Sequence, residues 1–174
     1  MLVDPKVEVR PYEVLKFSIG FPKRLLVLSV LCGIDVHFLG SSRICGGVAC
    51  AACKSGLASK FAGYVAVLSE GTRRLLRLTS DSARYGLDLG VWQPGEVIDV
   101  EKFKERRPLR IVGVAERESF DRSARVSSVE LLSVVARLHG LPGLDPGWRV
   151  GDCKKLVEKN AASMIVLALK GKLE

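Results

Sequence analysis

Apolar and polar residues alternate along much of the chain, which predicts a protein built mainly from β-strands. Over residues 7–20 the apolar anchors Val14, Phe17 and Ile19 are separated by polar positions, which predicts one strand or two short ones, and Pro11 suits an edge or a turn. The runs LLVLSVL and DVHFL are apolar and partly β-branched, and they predict buried strands on either side of Gly33. A helix over residues 25–32 is the alternative, because an apolar run this short does not distinguish the periodicity of a helix from that of a strand.

The middle of the chain predicts further strands joined by tight turns. GYVAVLSEG predicts a strand that enters a turn at Glu70 and Gly71, and TRRLLRLTSDSARYG after it fits either a strand or a short helix. Pro94 and Gly95 supply the next turn, which is followed by the strand EVIDVEK, a charged loop and the strand LRIVGVAE. We therefore expect a β-hairpin with a long basic loop.

Three further segments have helical patterns or end the chain. VACAACKSGLASKF consists mainly of small residues compatible with a helix that begins after Gly47 and is interrupted or ended by Gly56. A helical spacing of three and four recurs among the apolar residues of SSVELLSVVARLHG, namely Leu131, Val134, Val135 and Leu138. Ser127 or Ser128 caps this helix and Gly140 ends it. CKKLVEKNAA predicts a short amphipathic helix and SMIVLAL a final strand.

These elements predict an α+β fold, a β-rich mixed domain with flanking helices. We expect three parts: an N-terminal α/β segment over residues 1–60, a central domain over 61–140, and a C-terminal helix and strand over 141–174 that pack on the core. At 174 residues, 48% of them hydrophobic, the chain is long enough to bury such a core.

The composition indicates a thermophilic, archaeal-like protein. The chain contains one Gln (Gln93), one Asn (Asn160) and two Met, whereas 26% of its residues are charged. Depletion of thermolabile residues beside many charges is typical of thermophiles. No apolar leader opens the sequence, and its longest apolar run is interrupted by Asp35 and His37. We therefore expect a cytoplasmic protein that does not enter a membrane.

Three cysteines raise the question of an iron–sulfur cluster. Cys45, Cys50 and Cys53 have the C-x4-C-x2-C spacing of a plant-type [2Fe–2S] loop. Such a loop needs a fourth cysteine, but the chain has Ser80 and Ser82 in the region where that ligand would lie. An electron-transfer protein using these three cysteines therefore stays as an alternative interpretation.

The other interpretation of this segment is structural. In a helix of small residues, cysteines pack as small apolar side chains or form a disulfide, which is an option inside thermophilic cells. Cys32 and Cys153 are remote candidates for such a bridge, although the sequence does not assign the partners. His37 and His139 do not have a metal-site spacing. We expect neither a metal ion nor a cofactor.

The basic residues point to an anionic partner. A formal net charge of +8 favours nucleic acid, and guanidinium forks suit bidentate contacts with phosphate. The sequence lacks the phosphate-loop, dinucleotide-binding, hydrolase and zinc-protease motifs, so nothing in it supports catalysis. The candidate nucleic-acid-binding residues are Arg73, Arg74, Arg77, Arg84, Gly86, Lys102, Lys104, Arg106, Arg107 and Arg110. The charge is not concentrated along the sequence, so any basic patch must arise from folding.

Four stretches follow one another between residues 69 and 120: SEGTRRLLRL, RYGLDLGV, QPGEVIDVEK and RPLRIVGVAERESF. In this order they resemble a PUA domain, the RNA-binding module of pseudouridine synthases, archaeosine transglycosylases and several ribosome-biogenesis proteins. The resemblance implies that the 61–140 domain is a small β-barrel that binds structured RNA without catalysis of its own. It implies RNA-facing positions near Arg73, Arg74, Arg84, Gly86 and Arg110.

Three functional hypotheses follow. The first is an RNA-binding accessory protein acting on tRNA or rRNA in processing, modification or ribosome biogenesis. Aromatic residues form only 6% of the chain, which favours contacts with the shape and phosphates of structured RNA over base stacking. The second is the iron–sulfur electron-transfer protein, and the third is a structural subunit of a homo- or hetero-oligomer.

Overall fold

A computed structural model describes residues 12–38, 42–44, 51–58, 60–104, 109–117 and 120–139. The strands are β1 Lys23–Val27, β2 Cys32–Phe38, β3 Ser42–Ile44, β4 Lys60–Ser69, β5 Thr72–Leu78, β6 Val97–Glu101 and β7 Arg110–Ala115. The helices are α1 Ala51–Lys54, α2 Ser80–Asp88 and α3 Ser128–Leu138, with a short 3-10 helix at Arg122–Ala124. The predicted β-rich combination of strands and helices is confirmed.

All seven strands join one sheet with antiparallel pairing. β5 pairs with one edge of β4, while β2 and β1 share the other edge, because Tyr64 is opposite both Cys32 and Arg77. β3 extends the sheet beyond β2, and β6 and β7 extend it beyond β1. Within the described residues this order begins at β3 and ends at β7, so the sheet is open. The sheet joins strands from both sides of residue 60, the predicted boundary between the N-terminal segment and the central domain.

Ser29 explains where the first apolar run divides into two strands. Its hydroxyl donates to the carbonyl of Val30 at 3.0 Å and accepts from the backbone N–H of Ala66 at 2.9 Å. A side-chain oxygen therefore replaces a backbone carbonyl in the ladder beside β4. The break falls between Val27 and Cys32, not at the predicted Gly33, which lies within β2. The helical alternative for residues 25–32 is wrong.

Other sequence predictions differ from the structure in extent. Of the predicted helix over residues 48–61, the described residues form α1, after which Gly56 has a positive φ of 85°. Of the predicted strand over residues 7–20, the described part forms a single parallel bridge between Val14 and Leu75. The ambiguous segment after Gly71 contains both alternatives, β5 and then α2. The C-terminal helix and strand lie outside the described residues.

A two-residue turn joins β4 and β5 and fixes their register. Glu70 and Gly71 both have positive φ, at 51° and 77°, between the paired residues Ser69 and Thr72. Positive φ at both central positions is the geometry of a type I′ turn, whose twist matches that of antiparallel strands. A glycine at the second position adopts it without steric cost. This hairpin carries Arg73, Arg74 and Arg77.

Two helices pack on the sheet and complete the core. In α3, Leu131, Val134 and Val135 are fully buried, and the backbone N–H of Glu130 donates to the hydroxyl of the predicted cap Ser127 at 3.2 Å. α2 lies between the β4–β5 hairpin and β7: its Ser82 hydroxyl donates to the carbonyl of Leu109, the residue before β7. α2 therefore connects the β4–β5 hairpin with β7, which do not pair with each other as strands.

Candidate nucleic-acid interface

Arg73, a predicted RNA contact, is held by three groups of the protein itself. Its guanidinium donates to the Tyr12 hydroxyl and to the Ser123 carbonyl, both at 3.1 Å, and lies 3.8 Å from the Glu130 carboxylate. Tyr12 in turn donates to Glu130 at 2.8 Å. Burial raises the pKa of Tyr12, and the neighbouring Glu130 carboxylate raises it further. This cluster ties the N-terminal segment, β5 and α3 together.

Arg74 and Gly86 also have roles within the fold. Arg74 alternates with Arg73 along β5 and forms an ion pair with Glu13. Gly86 is buried in α2, where an added Cβ would lie 2.2 Å from the indole ring of Trp92. Arg73, Arg74 and Gly86 therefore do not form one exposed face with the other predicted contacts.

A groove with an apolar floor opens where the ends of several strands meet, and we call it the strand groove. It has a volume of about 840 Å³. Four cationic side chains line it: Lys16, Lys60, Arg77 and Lys102. No acidic residue is among the described residues that line it, so those residues contribute positive charge and no negative charge to the groove. Three aromatic rings also line it: Phe17, Phe38 and Phe61.

A second groove lies between α2 and the β6–β7 hairpin, and we call it the helix groove. Its volume is about 920 Å³, and its lining residues include Asp81, Tyr85, Phe103, Lys104 and Arg110. The guanidinium carbon of Arg110 lies 5.1 Å from the centre of the Phe103 ring, within cation–π range. Tyr85 and Phe103 keep 51% and 43% of their surface exposed, so both rings are accessible to a ligand.

The two grooves adjoin. Leu109 lines both of them, and the consecutive residues Lys102 and Phe103 line one groove each. The backbone of Lys102 is held by the N-terminal segment, since its carbonyl accepts a hydrogen bond from the backbone N–H of Gly20 at 3.2 Å. The result is one basic and aromatic surface that passes from the strand ends to α2.

The predicted contacts divide between the grooves and other places. Arg77 and Lys102 line the strand groove, and Lys104 and Arg110 line the helix groove. Arg84 is exposed on α2 beside the groove residue Tyr85. Arg106 and Arg107 lie outside the described residues. The structure therefore brings four of the predicted basic residues together along this surface.

Sequence reasoning missed several residues of this surface, although a signal for them exists. The dipeptide Lys-Phe occurs at residues 16–17, 60–61 and 102–103, and each of these six residues lines one of the grooves. The three copies are more than 40 residues apart, so no local window shows them together. Phe38 completes the aromatic lining, at 70% exposure in the last position of β2.

The alternative iron–sulfur site cannot be built from the described residues. Cys45 and Cys50 lie outside them, and Cys53 belongs to α1. Cys32 is a buried residue of β2. In the part of the chain that the structure describes, no group of three His, Cys, Asp or Glu side chains is placed to hold a metal ion. None of the described helices is both long and apolar enough to cross a membrane.

Comparison of the chain with models of known protein families, with curated proteins and with solved structures gave no match. The residues and geometry of the two grooves are therefore the features of the protein that indicate its function.

Proposed function

We propose that this chain is an RNA-binding accessory protein, acting on tRNA or rRNA in the cytoplasm and without catalysis of its own. One observation carries the proposal. Lys16, Lys60, Arg77 and Lys102 surround the strand groove, and the described residues that line it include no carboxylate. A cationic groove without acidic residues attracts a polyanion and gains affinity through the release of its counterions.

The aromatic rings favour a nucleic acid over other polyanions. Phe17, Phe38 and Phe61 lie among the four cations. Phosphate backbones are held by cations, while unstacked bases gain about 1–3 kcal/mol each by stacking on aromatic side chains. A groove that offers both kinds of contact suits RNA better than an acidic peptide, which has no flat apolar group at regular intervals.

A PUA-like architecture is part of the proposal. The stretches that resemble a PUA domain form β5, β6, β7 and α2. α2 lies between the β4–β5 hairpin and β7, a position in which a helix closes the gap in a partly open barrel. The helix groove and the strand groove flank this gap, so the proposed RNA surface and the proposed fold involve the same elements.

The test of RNA binding is a titration of the full chain with fluorescently labelled tRNA and rRNA fragments over a salt series. Phosphate contacts from the three lysines of the strand groove predict that log Kobs falls with log salt with a slope of about −2.5, or roughly 30-fold between 50 and 200 mM. Polyglutamate serves as a competitor of similar charge density, and we expect it to displace the RNA poorly. Absence of binding at 50 mM salt, or equally effective displacement by polyglutamate, would contradict the proposal.

A further inference from the structure

The helix groove differs chemically from the strand groove. Asp81, the second residue of α2, lines it, whereas no carboxylate is among the described residues lining the strand groove. A carboxylate repels phosphate but accepts hydrogen bonds from the amino and imino groups on base edges. The helix groove is therefore less suited to a phosphate backbone than to a base.

Two accessible rings give this groove its stacking surface. Tyr85 projects from α2, and Phe103 comes from the β6–β7 connection, so they line the groove from two different elements. The Arg110 guanidinium lies over the Phe103 ring at 5.1 Å, which restricts the ring and adds a second planar group. Lys104 also lines the groove and supplies a cation for the phosphate attached to a bound base.

We infer that the helix groove binds an unpaired nucleotide of the RNA, with its base stacked between Tyr85 and Phe103 and its phosphate near Lys104. This inference depends on the proposed RNA-binding function and adds its substrate class, RNA with single-stranded positions. A base inside a duplex is stacked on its neighbours and cannot reach these rings, whereas a base in a loop or at an end can. The strand groove holds the flanking phosphates.

The test compares one 12-nucleotide single strand with its duplex, using Tyr85→Leu, Phe103→Leu and the double variant. We expect each single substitution to weaken binding of the single strand roughly 10-fold and the double variant roughly 100-fold. Duplex binding stays within about twofold, because it depends on phosphate contacts. Phe21→Leu is the matched control: Phe21 is 69% exposed and lines neither groove, so its loss leaves both affinities unchanged.

A fluorescent base separates stacking from an indirect effect on the fold. The fluorescence of 2-aminopurine in a single strand depends on what that base stacks on, so wild-type protein should change the fluorescence and the double variant should not. Single-strand affinities of the variants within twofold of wild type, or an equal loss for the duplex, would overturn this inference while RNA binding stands. If wild-type protein binds neither strand, the proposed function fails as well.

Discussion

Replacing Gly86 with alanine is expected to destabilise the protein by about 1–5 kcal/mol. The added Cβ would lie 2.2, 2.3 and 2.5 Å from three atoms of the Trp92 indole, and that ring is 1% exposed. Trp92 is buried in the hydrophobic core, so relief of the clash requires the ring or α2 to shift against its packed neighbours. Overpacking of this kind costs about 1–3 kcal/mol.

Two further effects act on the same substitution. Alanine favours a helix over glycine by about 1 kcal/mol, which offsets part of the loss. Displacement of Trp92 breaks the hydrogen bond from its indole N–H to the Ala83 carbonyl, 2.8 Å long, and an unsatisfied buried donor costs about 1–3 kcal/mol. The clash and the lost bond together exceed the helix gain, so the net effect is destabilising.

The measurement is the free energy of unfolding in urea. Asp88→Ala is the control in the same helix: Asp88 is exposed, so we expect a change within about 0.5 kcal/mol. Gly86→Ala combined with Trp92→Phe should be less destabilised than the sum of the single variants, because the smaller ring leaves room for the methyl group. Gly86→Ala as stable as the wild type would show that α2 does not pack on Trp92 in this way.

Reversing two charges of the strand groove is expected to weaken RNA binding on the order of 100-fold at about 100 mM salt. Lys16 and Lys60 are exposed lysines that line this groove from two different segments. Lys16→Glu with Lys60→Glu removes two phosphate contacts and adds two repulsive charges. Both side chains are exposed, so the thermal midpoint of unfolding should change little.

The matched control is Arg122→Glu with Arg125→Glu. Both arginines are exposed and line neither groove, and the two double variants change the net charge equally. We expect this control to retain RNA affinity within about threefold. Its small loss of affinity comes from long-range charge repulsion, which salt screens. An equal loss in both variants would indicate that net charge, rather than the groove, attracts the RNA.

The strands were the most predictable part of the fold. In EVIDVEK and LRIVGVAE apolar and polar residues alternate, and a turn precedes the first of these stretches. Side chains of a strand point to opposite faces with a period of two, so this alternation predicted β6 and β7. The division at Ser29 was not predictable, since it depends on a hydroxyl replacing a backbone carbonyl opposite Ala66. The order of strands around β4 depends on pairings between distant segments, which no local pattern contains.

The candidate site was predictable only in part, because charge along a sequence does not reveal ion pairs. Arg73 and Arg74 appeared as a basic cluster, but Glu130 and Glu13 lie 57 and 61 residues away and neutralise them in the fold. Aromatic content was equally misleading: 6% is low for a stacking surface, yet the fold gathers five rings in two adjoining grooves. The proposed stacking surface therefore depends on the position of the rings in the fold and not on their number in the sequence.

The most direct test of the proposed RNA interface is ultraviolet crosslinking of the full chain to RNA, followed by mass spectrometry of the crosslinked peptides. Short-range crosslinks form where bases stack on side chains, so the sites report the bound surface itself. We predict crosslinks at Phe38, Phe61, Tyr85 and Phe103, which line the two grooves. Crosslinks confined to residues outside both grooves would contradict the proposed interface.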